Sequence, residues 1–300
     1  MKKNKVIFLS FILCVLCIFT LTGCEEKTTN EDIKSKVVQE IDYLDTKIVS
    51  LLNSLNNISL QEYTITSEEV SLENKSDTSN SGGQSNSEKS SLQNEQAGNQ
   101  QTNSQNQSEN ENNINITQMK SQNILEIDEN NVDWQKVKNE IETINEAWTV
   151  IILDLSSLNI YTNSILNFSS ILDESILSIK NEDKQTSLQN LARLYSIIPN
   201  LEKGVETETA IQNIKQVKSN IINAYAVIEQ EEWTEVENNI AKAEENFKNV
   251  TNDMKYIQNK EYKVNKTYVL LKELQNSLSY RDKKLFYVKY KNLMESINSL

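Results

Sequence analysis

Few residues of this chain are equipped to make or break bonds. There is no His among its 300 residues, and the Cys are Cys14, Cys17 and Cys24. Without His the commonest general base and the commonest transition-metal ligand are gone, so Ser-His-Asp and His-metal chemistry are excluded. Lys2, Lys3 and Lys5 precede an apolar run from Val6 to Thr20, and Leu21-Thr22-Gly23-Cys24 follows it. A charged start, a short apolar core and small residues at its end describe a cleaved secretory signal. The run is short for the roughly 20 residues of a spanning helix. Cleavage at the small-residue end of such a signal removes Cys14 and Cys17 and leaves Cys24 as the remaining Cys. Disulfides, CxxC redox chemistry and thiolate zinc sites are thereby excluded.

Carboxylates remain, and paired carboxylates alone suffice for glycoside hydrolysis. Asp154 sits inside the apolar run Val150-Ile151-Ile152-Leu153-Asp154-Leu155, where a buried acid would be costly and therefore functional. On a helix that residue can instead face water, which is the expectation here. The pairs Glu231-Glu232 and Glu244-Glu245 lack an Asp-x-Asp-x-Asp-Gly calcium loop, and adjacent acids on a helix point different ways. No metal or other cofactor is expected. Trp134, Trp148 and Trp233 could stack on a planar ligand, but their helical spacing places them in a core. Net charge is −13, and loss of the three signal lysines takes it to −16. Such a surface repels nucleic acid. Against it, residues 252–300 hold ten basic and five acidic side chains and six of the eleven Tyr. Lys263, Lys266, Lys283, Lys284, Lys289 and Lys291 form a candidate contact surface for an anionic envelope polymer, a headgroup or an acidic protein. The alternative is that these lysines pair with acids of their own domain.

The elements that must position these residues are helices. One Pro and five Gly leave little turn punctuation for strands. Residues 30–62 read as one amphipathic helix, with Ile33, Val37, Ile41, Leu44, Ile48, Leu51, Leu52, Leu55 and Ile58 at steps of three and four. Its apolar stripe needs a partner, which the pattern leaves open. Residues 66–122 are rich in Ser, Asn, Gln and Glu and read as a disordered linker, either a tether for the distal domain or an expendable expansion. Residues 124–300 read as an all-α bundle with an internal duplication. At an offset of 99, Trp134 falls on Trp233, Val137 on Val236, Ile141 on Ile240, Asp154 on Asp253, Leu172 on Leu271, and Asp183-Lys184 on Asp282-Lys283. Two three-helix units, 133–198 and 232–297, are expected on either side of a bridging helix through Ile211, Ile214, Val217, Ile221, Ile222 and Tyr225.

Leu21-Thr22-Gly23-Cys24 resembles the lipobox of bacterial lipoproteins. The resemblance implies cleavage before Cys24, a diacylglyceryl thioether on its sulfur, and a protein lipid-anchored on the extracytoplasmic face of the cell membrane. It also withdraws the last Cys from nucleophilic chemistry. Leu55-Asn56-Asn57-Ile58-Ser59-Leu60 before a polar spacer, then Asp133-Trp134 opening a helical domain, looks like uncharacterised helical lipoproteins of low-GC Gram-positive bacteria. The expected function is a non-catalytic interaction or scaffold module at the cell surface. The alternative is a ligand- or cation-binding lipoprotein delivering to a membrane partner.

Overall fold

The stripe of the first helix finds its partner inside the bundle. The computed structural model describes residues 30–60, 122–160, 162–205 and 208–300. Residues 1–29, including Cys24, and residues 61–121 lie outside the described residues. Helix α1 (Asn30–Ser54) is followed by α2 (Trp134–Ser157), α3 (Thr162–Lys180), α4 (Lys184–Tyr195) and α5 (Ile198–Glu202). Then come α6 (Thr209–Val227), α7 (Trp233–Thr251), α8 (Met254–Ile257), α9 (Glu261–Ser277) and α10 (Lys283–Ile297). Short 3-10 turns lie at Ile124–Glu126, Ile228–Gln230 and Leu278–Tyr280, and the described residues contain no strand. The protein is all-α, with bundle packing.

Val37, Ile41, Leu44, Ile48, Leu51, Leu52 and Leu55 of α1 and its C-terminal turn are fully buried. They pack on α2, α4 and α5, so α1 belongs to the same core as the later helices. Asn57 ends the helix in the left-handed region (φ 54°), and Ile58 N–H turns back to the Asn53 carbonyl at 3.0 Å. That is the Schellman stop, with Asn standing where Gly is usual. Gln122 then meets the same turn. Its side-chain oxygen accepts from Ser59 N–H at 2.7 Å and its amide donates to the Asn57 carbonyl at 2.6 Å. The two ends of the low-complexity segment are therefore clipped together. It is an insertion between two core elements rather than a spacer between α1 and a separate distal domain.

The duplication is visible in backbone detail. Helix starts recur at the offset of 99: Trp134 and Trp233, Thr162 and Glu261, Lys184 and Lys283. Glu182 (φ 58°) and Arg281 (φ 49°) are matching left-handed residues. Each is followed by an Asp whose carboxylate caps the third helix of its unit. Asp183 accepts from Thr186 N–H at 3.1 Å, and Asp282 from Leu285 N–H at 2.8 Å. Loss of one such cap by Asp183→Ala or Asp282→Ala should lower stability by about 1 kcal/mol, read from urea midpoints. Equal stability of both variants and the parent would deny the caps that role.

The units differ where the first helix of each ends. In the first, α2 runs through Asp154 to Ser157. In the second, α7 stops at Thr251, and Asp253 instead caps the short α8 by accepting from Tyr256 N–H at 3.1 Å. Between the units α6 is the central helix, with Val217, Ile221, Ile222 and Tyr225 fully buried. It packs most extensively on α7 and also on α4 and α10.

Candidate functional site

Helices α1 and α6 run in the same sense on either side of a groove, bridged by long side chains. Asp42–Lys215 and Asp45–Lys218 advance in step along both, and Asn56, in the turn past the end of α1, reaches Tyr225 further along α6. Asp42 and Asp45 are three residues apart on α1, as Lys215 and Lys218 are on α6, so each pair shares a helix face. The buried stripe of α6 aims its lysines at α1. Lys215 Nζ donates to Asp42 Oδ1 and Asp45 Oδ2, both at 2.6 Å, and Lys218 Nζ donates to Asp45 Oδ1 at 2.5 Å. Asp45 is 2% exposed and both lysines 7%.

Burial pushes the Asp45 carboxyl up, but the two ammonium groups outweigh it and hold it below the usual carboxylate range. Burial pulls Lys215 down, and its two carboxylates more than reverse that. Lys218 has one carboxylate partner and a cationic neighbour, so burial prevails and its ammonium titrates below the ordinary lysine value. The Lys218 ammonium also lies 6.0 Å from the Tyr195 ring centre, and burial beside Asp45 raises the Tyr195 hydroxyl well above its ordinary value.

This network forms part of the wall of a groove of about 790 Å³, whose lining includes Val38, Thr46, Asn53, Ile211 and Tyr256. Its charge is balanced internally. Its direct effect is to fix α1 in register on α6, because a slip of either helix would strand a buried charge.

The sequence-predicted lysines are dispersed. Lys283 reaches Glu229 at 3.5 Å and Glu129 at 3.9 Å, and Lys284 pairs with Glu129. Lys289 pairs with Glu273 at 2.7 Å, and the buried Lys291 pairs with Glu295 on its own helix. Lys263 and Lys266 are half-buried on α9. Tyr287 and Tyr290, counted in the sequence with the same basic segment, are core residues packed on Tyr225. Four of the six lysines thus meet acids of their own domain.

The ion pairs around Glu229 have a further order. Lys184 and Lys283 are repeat mates, each following its Asp cap, and both approach Glu229 in the turn between the units, at 3.2 and 3.5 Å. Tyr287 donates to the same carboxylate at 2.8 Å. Burial raises the Glu229 carboxyl, but the Tyr287 hydrogen bond and the two lysines hold it below its ordinary range.

The remaining candidates serve the fold. Trp148 is buried, lies 4.0 Å centre to centre from Phe168, and donates through Nε1 to Ser169 Oγ at 2.8 Å. Trp233 is buried and Trp134 half-buried. Asp154 is partly exposed and accepts from Lys36 of α1 at 2.6 Å, while its repeat mate Asp253 is a helix cap. The structure does not bring the two together. Glu244 is engaged by Lys248 at 3.0 Å and Lys272 at 3.2 Å. Among the described residues no group of three or more His, Cys, Asp or Glu side chains converges as metal ligands would, and no helix is long and apolar enough to cross a membrane. Leu21, Thr22, Gly23 and Cys24 lie outside the described residues. Sequence reasoning missed the Asp45–Lys215–Lys218 network, although the i, i+3 acids and i, i+3 lysines on two apolar stripes are its signal. Compared with known protein families, curated proteins and solved structures, the chain matches none.

Proposed function

We propose that this chain is a lipid-anchored extracytoplasmic lipoprotein whose helical body is a non-catalytic interaction module at the cell surface. One observation carries the reading: the basic start, the apolar run Val6 to Thr20 and Leu21-Thr22-Gly23-Cys24 stand in the order an exported lipoprotein needs. Two acyl chains on Cys24 would give a stable hold on a bilayer where one would be marginal. The body supports a contact role. Its strongest polar constellations, around Asp45 and Glu229, are spent on holding helices to one another. The insertion of residues 61–121 leaves and returns at one point of the body, so it can be presented to a partner without loosening the core.

A second reading, capture of a small ligand for a membrane partner, is favoured by the groove between α1 and α6. The test of the primary reading is metabolic labelling with radioactive palmitate in a bacterial host. The parent chain should carry label and sediment with membranes. Cys24→Ala should carry none and lose membrane retention. Equal labelling of the two chains would overturn the anchor.

A further inference from the structure

Because α1 is a core helix, the anchor fixes more than an address. From Cys24 to Asn30, where α1 begins, there are six backbone steps, which span at most about 22 Å when fully extended. On the lipoprotein reading, the end of the bundle that holds the first turn of α1 is confined to the bilayer surface.

Several elements share that end. Lys36 of α1 holds Asp154 near the close of α2. Parallel α6 begins there, and Glu208 just before it meets Lys255 of α8 at 3.9 Å. α9 opens there at Glu261. This is also where the second repeat unit departs from the first. Leu155, the repeat mate of Met254, is fully buried, whereas the break before α8 turns Met254 out to 73% exposure. Tyr262, at the start of α9, is 40% exposed, and Leu153, one residue before the Asp154 that meets α1, is 69% exposed. Apolar side chains exposed on a helical surface held against lipid can enter the headgroup and acyl boundary.

We infer that this end of the bundle lies on the lipid surface, with Met254, Tyr262 and Leu153 reaching into the interface. Two of the lysines nearby are paired, Lys34 with Glu31 and Lys255 with Glu208. The apolar part of the attachment should be little affected by salt. Leu60 and Gln122, which bracket the insertion, belong to the opposite end with the 3-10 turn at Tyr280. The insertion therefore emerges on the side away from the membrane.

The experiment uses the full-length lipidated chain, whose remaining Cys is blocked by lipid, reconstituted in phosphatidylglycerol vesicles. A polarity-sensitive fluorophore is placed at Met254→Cys, Tyr262→Cys or the exposed Tyr280→Cys, and quenched with spin-labelled lipid. Quenching at 254 and 262 should exceed that at 280 by at least about twofold. An inserted run of some 30 Gly and Ser residues between 29 and 30, spanning roughly 30 Å as a coil, should reduce the difference. Equal quenching at all three sites, or stronger quenching at 280, overturns the orientation while leaving the anchor intact. Failure of the parent to float with vesicles overturns the anchor itself, and the orientation with it.

Discussion

A chain lacking residues 30–60 should fail to fold, whereas one in which a short Gly-Ser connection replaces residues 61–121 should fold as well as the parent or better. The first half follows from burial. Seven Leu, Ile and Val side chains of α1 and its C-terminal turn have no solvent exposure. At about 1.5–3 kcal/mol each their burial contributes roughly 10–20 kcal/mol, as large as the 5–15 kcal/mol by which whole domains are stable. Removing α1 also strands Lys215 and Lys218 without the carboxylates that hold them. The second half follows from the clip. Gln122 already meets Asn57 and Ser59, so a short connection spans the ends without strain. Closing a loop of 61 residues rather than about six costs roughly 2 kcal/mol more in chain entropy. The shortened protein should therefore gain about 4–8 °C in Tm. Circular dichroism melts check both halves. A cooperative melt without residues 30–60, or a lowered Tm without residues 61–121, would contradict the shared core.

The helical pattern was legible because each stripe is amphipathic at a period of 3.6. Ile41, Leu44 and Ile48, or Val236, Ile240 and Phe247, declare their buried faces by spacing alone. The duplication was legible for the same reason, together with its two Asp caps at Asp183 and Asp282. What spacing could not supply was the partner of each stripe. The 61 residues 61–121 separate Leu60 from Gln122, and loop-closure entropy grows so slowly with length that the roughly 2 kcal/mol it adds is outweighed by burial of the stripe. The basic C-terminal segment misled through composition. Lysines were counted along the chain, but the tertiary fold brings Glu129 and Glu229 to them from elsewhere. The mismatch of Asp154 and Asp253 was hidden too, because one alignment column holds a mid-helix residue in one unit and a cap in the other.

The same fold explains why two carboxylates buried at different depths should respond unequally to substitution. Glu229 lies near the surface and has a hydroxyl and two lysines around it, so water can take over part of its role. Asp45 is the buried carboxylate between Lys215 and Lys218, and only Lys215 has a second partner, the exposed Asp42. Taking Asp45 away leaves the Lys218 ammonium buried against apolar surroundings and the Tyr195 ring, an uncompensated charge of the kind that destabilises by about 3–5 kcal/mol.

Asp45→Asn should accordingly lower the urea-derived stability by about 3–5 kcal/mol at pH 7, the largest effect of any single polar substitution in the body. Its pH dependence has a definite sign. In the parent, the Asp45 carboxyl is held below its unfolded value, so the native state binds fewer protons than the unfolded one in the acid range. That stabilisation is present above about pH 4 and disappears as pH falls through the folded value. Asp45→Asn should lose this acid limb. The variant's alkaline limb is steeper than the parent's, because a buried Lys218 without its carboxylate titrates further below the unfolded lysine value. Its native state then binds fewer protons than the unfolded chain, and stability rises with pH toward 9. Lys218→Met, placed on Asp45→Asn, removes the stranded charge and should recover most of the loss at pH 7 while flattening the alkaline limb. Lys218→Met alone leaves Asp45 with Lys215 and should be milder than Asp45→Asn. A cost below about 1 kcal/mol for Asp45→Asn is the size expected of an exposed pair and would mean that water reaches the network. Absence of rescue by Lys218→Met would place the cost in the shape of the groove wall rather than in the stranded ammonium.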